Sequence, residues 1–142
     1  MSRISTERPI ILVDDDPMEE MLFRRYMEKS AFCNELIYIQ GSDKFLEYLL
    51  QVKNGVKLMP ALVLLDINMP EMNGHECLLK VRGDKEFQEV PIIVMYSNSS
   101  NRVDIERAMS NGANNYIVKP KGKDEFTRFF ESLESGTLGS KV

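Results

Sequence analysis

The residues able to do chemistry in this chain are three consecutive carboxylates, Asp14-Asp15-Asp16, a lone Asp66, a serine at 97 and a Lys119-Pro120 pair. Brought together, the acids repel. Two like charges about 4 Å apart cost about 4 kcal/mol at an effective dielectric near 20. That is a large share of a domain stability of roughly 5–15 kcal/mol. A hard divalent cation relieves the repulsion, and Mg²⁺ takes one or two carboxylates, waters and phosphate oxygens. Lys119 would add a fixed positive charge. A carboxylate held beside both is a nucleophile for phosphorus and yields an acyl phosphate. The competing reading is that acids at strand ends only cap helices. Asp16, followed by Pro17 and Glu19, carries that capping pattern. Asp66 does not, because Pro70 four residues on disfavours a helix immediately after it.

Such residues meet only if something positions them. Five short apolar runs, Ile10–Val13, Leu36–Ile39, Leu62–Leu65, Ile92–Met95 and Tyr116–Val118, recur at the spacing of a βα unit. The first, third and fourth are continuously apolar, as in parallel strands covered on both faces. Helices fill the intervals. The first follows Asp16-Pro17 with Met18, Met21, Leu22 and Met27 as its core stripe. The second opens at Ser42-Asp43 with Phe45, Leu46, Leu49 and Leu50 inward and stops at Asn54-Gly55. The third runs from about His75 to Gly83. The fourth follows Asn101 with Val103, Ile105 and Met109 and ends at Asn111-Gly112. The last spans Asp124 to Glu134 with Phe126, Phe130 and Leu133 in register. Phe129 either widens that buried stripe or faces a partner.

Strict β-α alternation predicts a doubly wound parallel sheet, whose ligands bind beyond the carboxyl ends of the strands. Asp14–Asp16, Asp66, Ser97 and Lys119-Pro120 all stand just after apolar runs. The second run ends at Gln40-Gly41, with nothing obviously catalytic.

Bulk properties narrow the function. The 142 residues fit one domain, and the net charge of −4 argues against binding nucleic acid. Cys33 and Cys77 lack metal-ligand spacing and read as reduced thiols. No signal peptide and no membrane-length apolar run is present, so a cytoplasmic location is expected, with no membrane partner.

Four segments in order resemble the receiver domain of two-component response regulators. They are Ile11-Leu12-Val13-Asp14-Asp15-Asp16, then Leu64-Leu65-Asp66-Ile67-Asn68-Met69-Pro70-Glu71-Met72-Asn73-Gly74, then Gly112-Ala113, then Val118-Lys119-Pro120. The resemblance covers about Arg8 to Leu133. It implies an α/β, flavodoxin-like (βα)5 fold, a five-stranded parallel sheet of order 2-1-3-4-5 with helices on both faces. The domain would span 8–134, with 1–7 and 135–142 as flexible termini. Asp66 would be the phospho-acceptor. Asp14, Asp15, Asp66 and the backbone carbonyl of Asn68 would hold Mg²⁺, and Lys119 would pair with the phosphoryl oxygens. Pro120 would follow a cis peptide, and Gly74 would occupy a backbone position where φ > 0 is tolerated. Ser97 and Tyr116 would form the switch pair, moving the surface made by the fourth helix, fifth run and last helix.

Two departures stand out. Asn73 replaces the family's Asp before the glycine, which should leave the phosphorylation chemistry alone. Counting back from Lys119 puts the switch hydroxyl at Ser97, whereas counting forward from Pro91 puts it at Tyr96. Ser97 is preferred because a short hydroxyl can reach a phosphoryl oxygen. The lone His75 reads as an early-helix residue.

The expected partners are a sensor histidine kinase or histidine phosphotransfer protein as donor and an unidentified protein target. A homodimer through the switch surface stays open. A stand-alone receiver is expected, self-phosphorylating and self-dephosphorylating and not otherwise an enzyme. Two rivals remain. One is a haloacid-dehalogenase-like phosphohydrolase with Asp14 as nucleophile, which leaves the Asp66 segment unexplained. The other is a receiver-like scaffold that never phosphorylates.

Overall fold

The computed structural model describes residues 5–93 and 95–135. In chain order these form β1 (Ile10–Val13), α1 (Pro17–Glu28), β2 (Leu36–Ile39), α2 (Ser42–Lys53), β3 (Leu62–Leu65), α3 (Gly74–Arg82), a 3₁₀ turn (Lys85–Phe87), β4 (Ile92–Ile93), α4 (Arg102–Ser110) and α5 (Lys123–Ser135). The sheet is parallel in the order β2-β1-β3-β4, and β1 sits in register between Leu36–Ile39 and Leu62–Leu65. Of the segments expected to be flexible, 1–4 and 136–142 lie outside the described residues. The carbonyl of Ser5 accepts from Asn34, and Ser135 is the last residue of α5. Among the described residues no helix is long and apolar enough to cross a membrane. Both cysteines are free, Cys33 exposed and Cys77 buried.

The continuously apolar strands alternate between two cores. Ile11, Val13, Val63 and Leu65 pack with Phe45 and Leu49 of α2, Leu78 and Val81 of α3 and Ala108 of α4. Ile10, Leu12, Leu62 and Leu64 pack on the other face with Phe23 of α1 and with Phe126, Phe129, Phe130 and Leu133 of α5. Phe129 therefore belongs to the buried stripe. Its ring lies 5.7 Å from those of Phe23 and Tyr96.

The inward stripe expected for α1 is corrected. Met18, Met21 and Leu22 are exposed, at 58%, 64% and 40%, while Phe23 is fully buried and Tyr26 and Met27 are half-buried. At about 100° per residue, Phe23 and Met27 share the sheet-facing side, and Met18, Met21 and Leu22 share the opposite one. Both sets satisfy helical spacing, so spacing alone could not choose between them. Leu50 and Val103, also expected inside, are exposed for the same reason.

Among the described residues the fifth run joins the sheet through a parallel bridge between Ser97 and Val118, with Ser97 N–H donating to Ile117 carbonyl (3.3 Å) and Lys119 N–H to Ser97 carbonyl (2.8 Å). Two asparagine side chains bond backbone N–H groups beside it. The Tyr116 N–H donates to Asn115 Oδ1 (2.8 Å), and the Ile92 N–H donates to Asn114 Oδ1 (2.9 Å). The bridge sets Lys119 beside Ser97, which is what the site requires.

Candidate functional site

Each site residue stands where a strand gives way to a loop. Asp14 follows β1, Asp66 follows β3, and Lys119 follows the bridge with Ser97. The Asp14 N–H donates to Ile39 carbonyl (3.2 Å) and the Asp66 N–H to Val13 carbonyl (3.0 Å), so the ladder continues into both acids. Asp14, Asp66 and Lys119 are almost fully buried, and Asp15 is half-buried. Oxygens of Asp14, Asp15 and Asp66 all lie within 4.8 Å of one another, a donor set that fits a hard divalent cation.

The two buried acids are not equivalent. Asp14 is committed on both oxygens: Oδ1 accepts from the Asp16 N–H (3.0 Å) and Oδ2 from Lys119 Nζ (2.8 Å). Asp66 Oδ2 lies 3.6 Å from Lys119 Nζ, an ion pair longer than a hydrogen bond. Burial pushes the Asp66 carboxyl up to about 6, and the Asp14 charge adds to that. Lys119 and the backbone N–H groups of Asn68 and Ile67 oppose the rise. For Lys119, burial favours the neutral amine. The Asp14 hydrogen bond and the charges of Asp66, Asp14 and Glu19 outweigh it, so its pKa is raised and the ammonium is kept.

Asp16 caps α1 by accepting from the Met18 N–H (3.0 Å), as its pattern predicts. Asn73 caps α3 in a reciprocal box with Glu76, which accounts for an amide at this position. Asn68 is exposed on the loop after Asp66. Ser97 is fully buried, and its Oγ accepts from the Ser99 N–H (3.2 Å). Tyr116 is half-buried, and its hydroxyl donates to the Ser99 carbonyl (2.6 Å). Tyr96, the other candidate for the switch position, points into the aromatic core against Phe23, with Lys119 Nζ 5.9 Å from its ring centre.

Two backbone expectations are corrected. The Lys119–Pro120 peptide is trans, since no cis bond occurs among the described residues. Trans is the lower-energy isomer even for X–Pro bonds. Gly74 does not adopt positive φ; Glu71 does, at 67°. Gly74 is required for space instead. A Cβ there would collide with the Asp66 carbonyl oxygen and lie 2.9 Å from Ile67 Cα. Gly74→Ala must displace the acceptor loop, and we expect a loss of about 3 kcal/mol or more, at the upper end for overpacking. Urea unfolding measures it. An unchanged midpoint would mean that the loop yields freely.

Several positioning residues escape a reading of motifs. Glu19, which scans as a capping acid, reaches within 3.6 Å of Lys119 Nζ. Tyr38 donates to the Asp14 carbonyl (2.9 Å) and Gln40 to the Asp15 carbonyl (2.9 Å), so β2 holds the acidic loop. Burial and the surrounding acids push the Tyr38 phenol up to about 12, keeping it a donor. His75 and Asp104 pair at 3.1 Å.

A family model described as the response regulator receiver domain matches residues 10–131. The chain belongs to this family. It is 30% identical over 130 residues to the probable methanogenesis regulatory protein FilR2 of Methanothrix harundinacea, covering 92% of this chain and 83% of that one. It is 39% identical over 111 residues to the chemotaxis protein CheY1 of Helicobacter pylori, covering 78% and 84%. Some relatives are longer, and the chain spans 48% of a two-component response regulator from Oryza sativa. The crystal structure of the phosphorylated cyanobacterial phytochrome response regulator RcpA matches with a TM-score of 0.76, 26% identity, and 92% and 96% of the two chains covered. The receiver is a phospho-accepting signalling switch of two-component systems, on a flavodoxin-like fold, and its acid cluster is built for a divalent metal.

Proposed function

We propose that Asp66 is the phospho-acceptor, with Asp14, Asp15, Asp66 and the Asn68 carbonyl holding Mg²⁺ and Lys119 facing the phosphoryl oxygens. One observation carries the assignment. Lys119 does not bond Asp66 directly, its Nζ standing 3.6 Å from Asp66 Oδ2, whereas Asp14 spends both oxygens on Lys119 and on Asp16. The same contrast counts against Asp14 as a phosphohydrolase nucleophile.

In this reading an Asp66 oxygen attacks phosphorus of a phosphohistidine on a sensor histidine kinase or phosphotransfer protein. A P–O bond forms, the P–N bond breaks, and the donor imidazole leaves. The bound cation would supply charge neutralisation for the transferring group. Lys119, fixed by Asp14, adds its own positive charge without having to reorganise. Ser97 and Tyr116 report the modification to the face made by α4, residues 116–118 and α5, where a protein target docks. Water resets the switch, so the chemistry is self-directed and not that of a conventional enzyme. The unit spans 8–134 and works in the cytoplasm.

The test is intact-mass spectrometry after incubation with acetyl phosphate, with Mg²⁺ or with a chelator. Wild type with Mg²⁺ gains one base-labile phosphate, while the chelated sample and Asp66→Asn gain none. An adduct that persists in Asp66→Asn rules out this assignment.

A further inference from the structure

We propose that His75, Asp104 and Ser99 form a chain of positioning residues that sets the place of the Tyr116 ring and ties it to the Asp66 loop. The proposal deepens the switch reading above and rests on Asp66 as acceptor. At one end, Gly74 is packed onto the Asp66 carbonyl without room for a Cβ, and its N–H donates to the Ile67 carbonyl (2.9 Å). The start of α3 therefore rides on the acceptor loop. His75 follows directly, 1% exposed. Its Nε2 lies 3.1 Å from Asp104 Oδ1 on α4, while its buried Nδ1 has no partner among the described residues. Hydrogen bonds from Ser99 and His75 hold the Asp104 carboxyl below its ordinary range, so it accepts only, and Nε2 carries the proton.

The other Asp104 oxygen accepts from Ser99 Oγ (2.8 Å). Ser99 is the hub. Its hydroxyl holds Asp104, its N–H donates to Ser97 Oγ (3.2 Å), and its carbonyl takes the Tyr116 hydroxyl (2.6 Å). Both residues expected to form the switch therefore hang on one serine, and that serine is anchored through α4 to the helix seated on the acceptor. A shift at Asp66 reaches Tyr116 through directional bonds between packed elements, the kind of contiguous connection that coupling requires.

The test uses tyrosine-labelled protein and two readouts, the Tyr116 ring resonance and the rate of acetyl phosphate labelling. Asp104→Ala and His75→Ala should each move the Tyr116 resonance in unphosphorylated protein. Each should also slow labelling roughly fivefold, the lower end of ordinary site-to-site couplings. The double variant should be no slower than either single one, because residues in one network are not additive. His75→Gln, which keeps a side-chain N–H, should recover part of the rate and serves if His75→Ala does not fold. A Tyr116 resonance unmoved in the folded variants, or losses that simply add, overturns the chain. If wild type takes no phosphoryl group, the acceptor assignment fails, but the resonance of Asp104→Ala still tests the contact network by itself.

Discussion

Asp66→Asn melts higher than wild type at about pH 7 and above, and the difference vanishes below about pH 4. The reason is the cost of a buried charge. Burial raises the Asp66 carboxyl from 3.8 to about 6. Between those values the native state holds a proton that the unfolded chain has released. Stability therefore falls as pH rises through this window, and the penalty is complete above the folded pKa. At about 1.4 kcal/mol per unit, the shift amounts to something on the order of 3 kcal/mol. In a chain of this length that is a gain of roughly 5–10 °C for the amide, which carries no charge at any pH. Differential scanning calorimetry of both proteins across this range measures it. Acetyl phosphate labelling of wild type should fall over the same window as the nucleophile is protonated. Coincident melting curves at every pH would show that the cluster is already solvated.

Lys119→Met is expected to destabilise the domain by about 3–5 kcal/mol, the usual cost of stripping the partner from a buried charge. Lys119 Nζ is the cation bonded to Asp14 at 2.8 Å, and it stands 3.6 Å from both Asp66 and Glu19. Methionine matches the length of the stem but leaves three acids facing one another. Saturating Mg²⁺ should then raise the melting temperature of the variant more than that of wild type, since the ion replaces a missing charge. Thermal melts with and without Mg²⁺ read both effects. Labelling of Asp66 should also be lost. A variant that melts within about 1 kcal/mol of wild type would mean that Lys119 acts only at the phosphoryl group and contributes nothing to holding the acids together.

The order of elements, the two-sided sheet and the strand-end position of Asp14, Asp66 and Lys119 were legible in the chain itself. Those features are local: a continuously apolar run, an Asp-Pro cap and an acid just beyond a strand need only their neighbours in sequence. Strict βα alternation makes the sheet parallel, while its strand order was implied by the family resemblance and not by the alternation itself. Tertiary structure decided the rest. Helical spacing permits either face of α1 to be buried, and only docking on the sheet selects Phe23 over Met21. Gly74 reads as a turn glycine until the Asp66 carbonyl is seen against it. His75 and Asp104, 29 residues apart, carry no motif, because a hydrogen bond between two helices is set by distance in space and leaves no periodic trace in the chain.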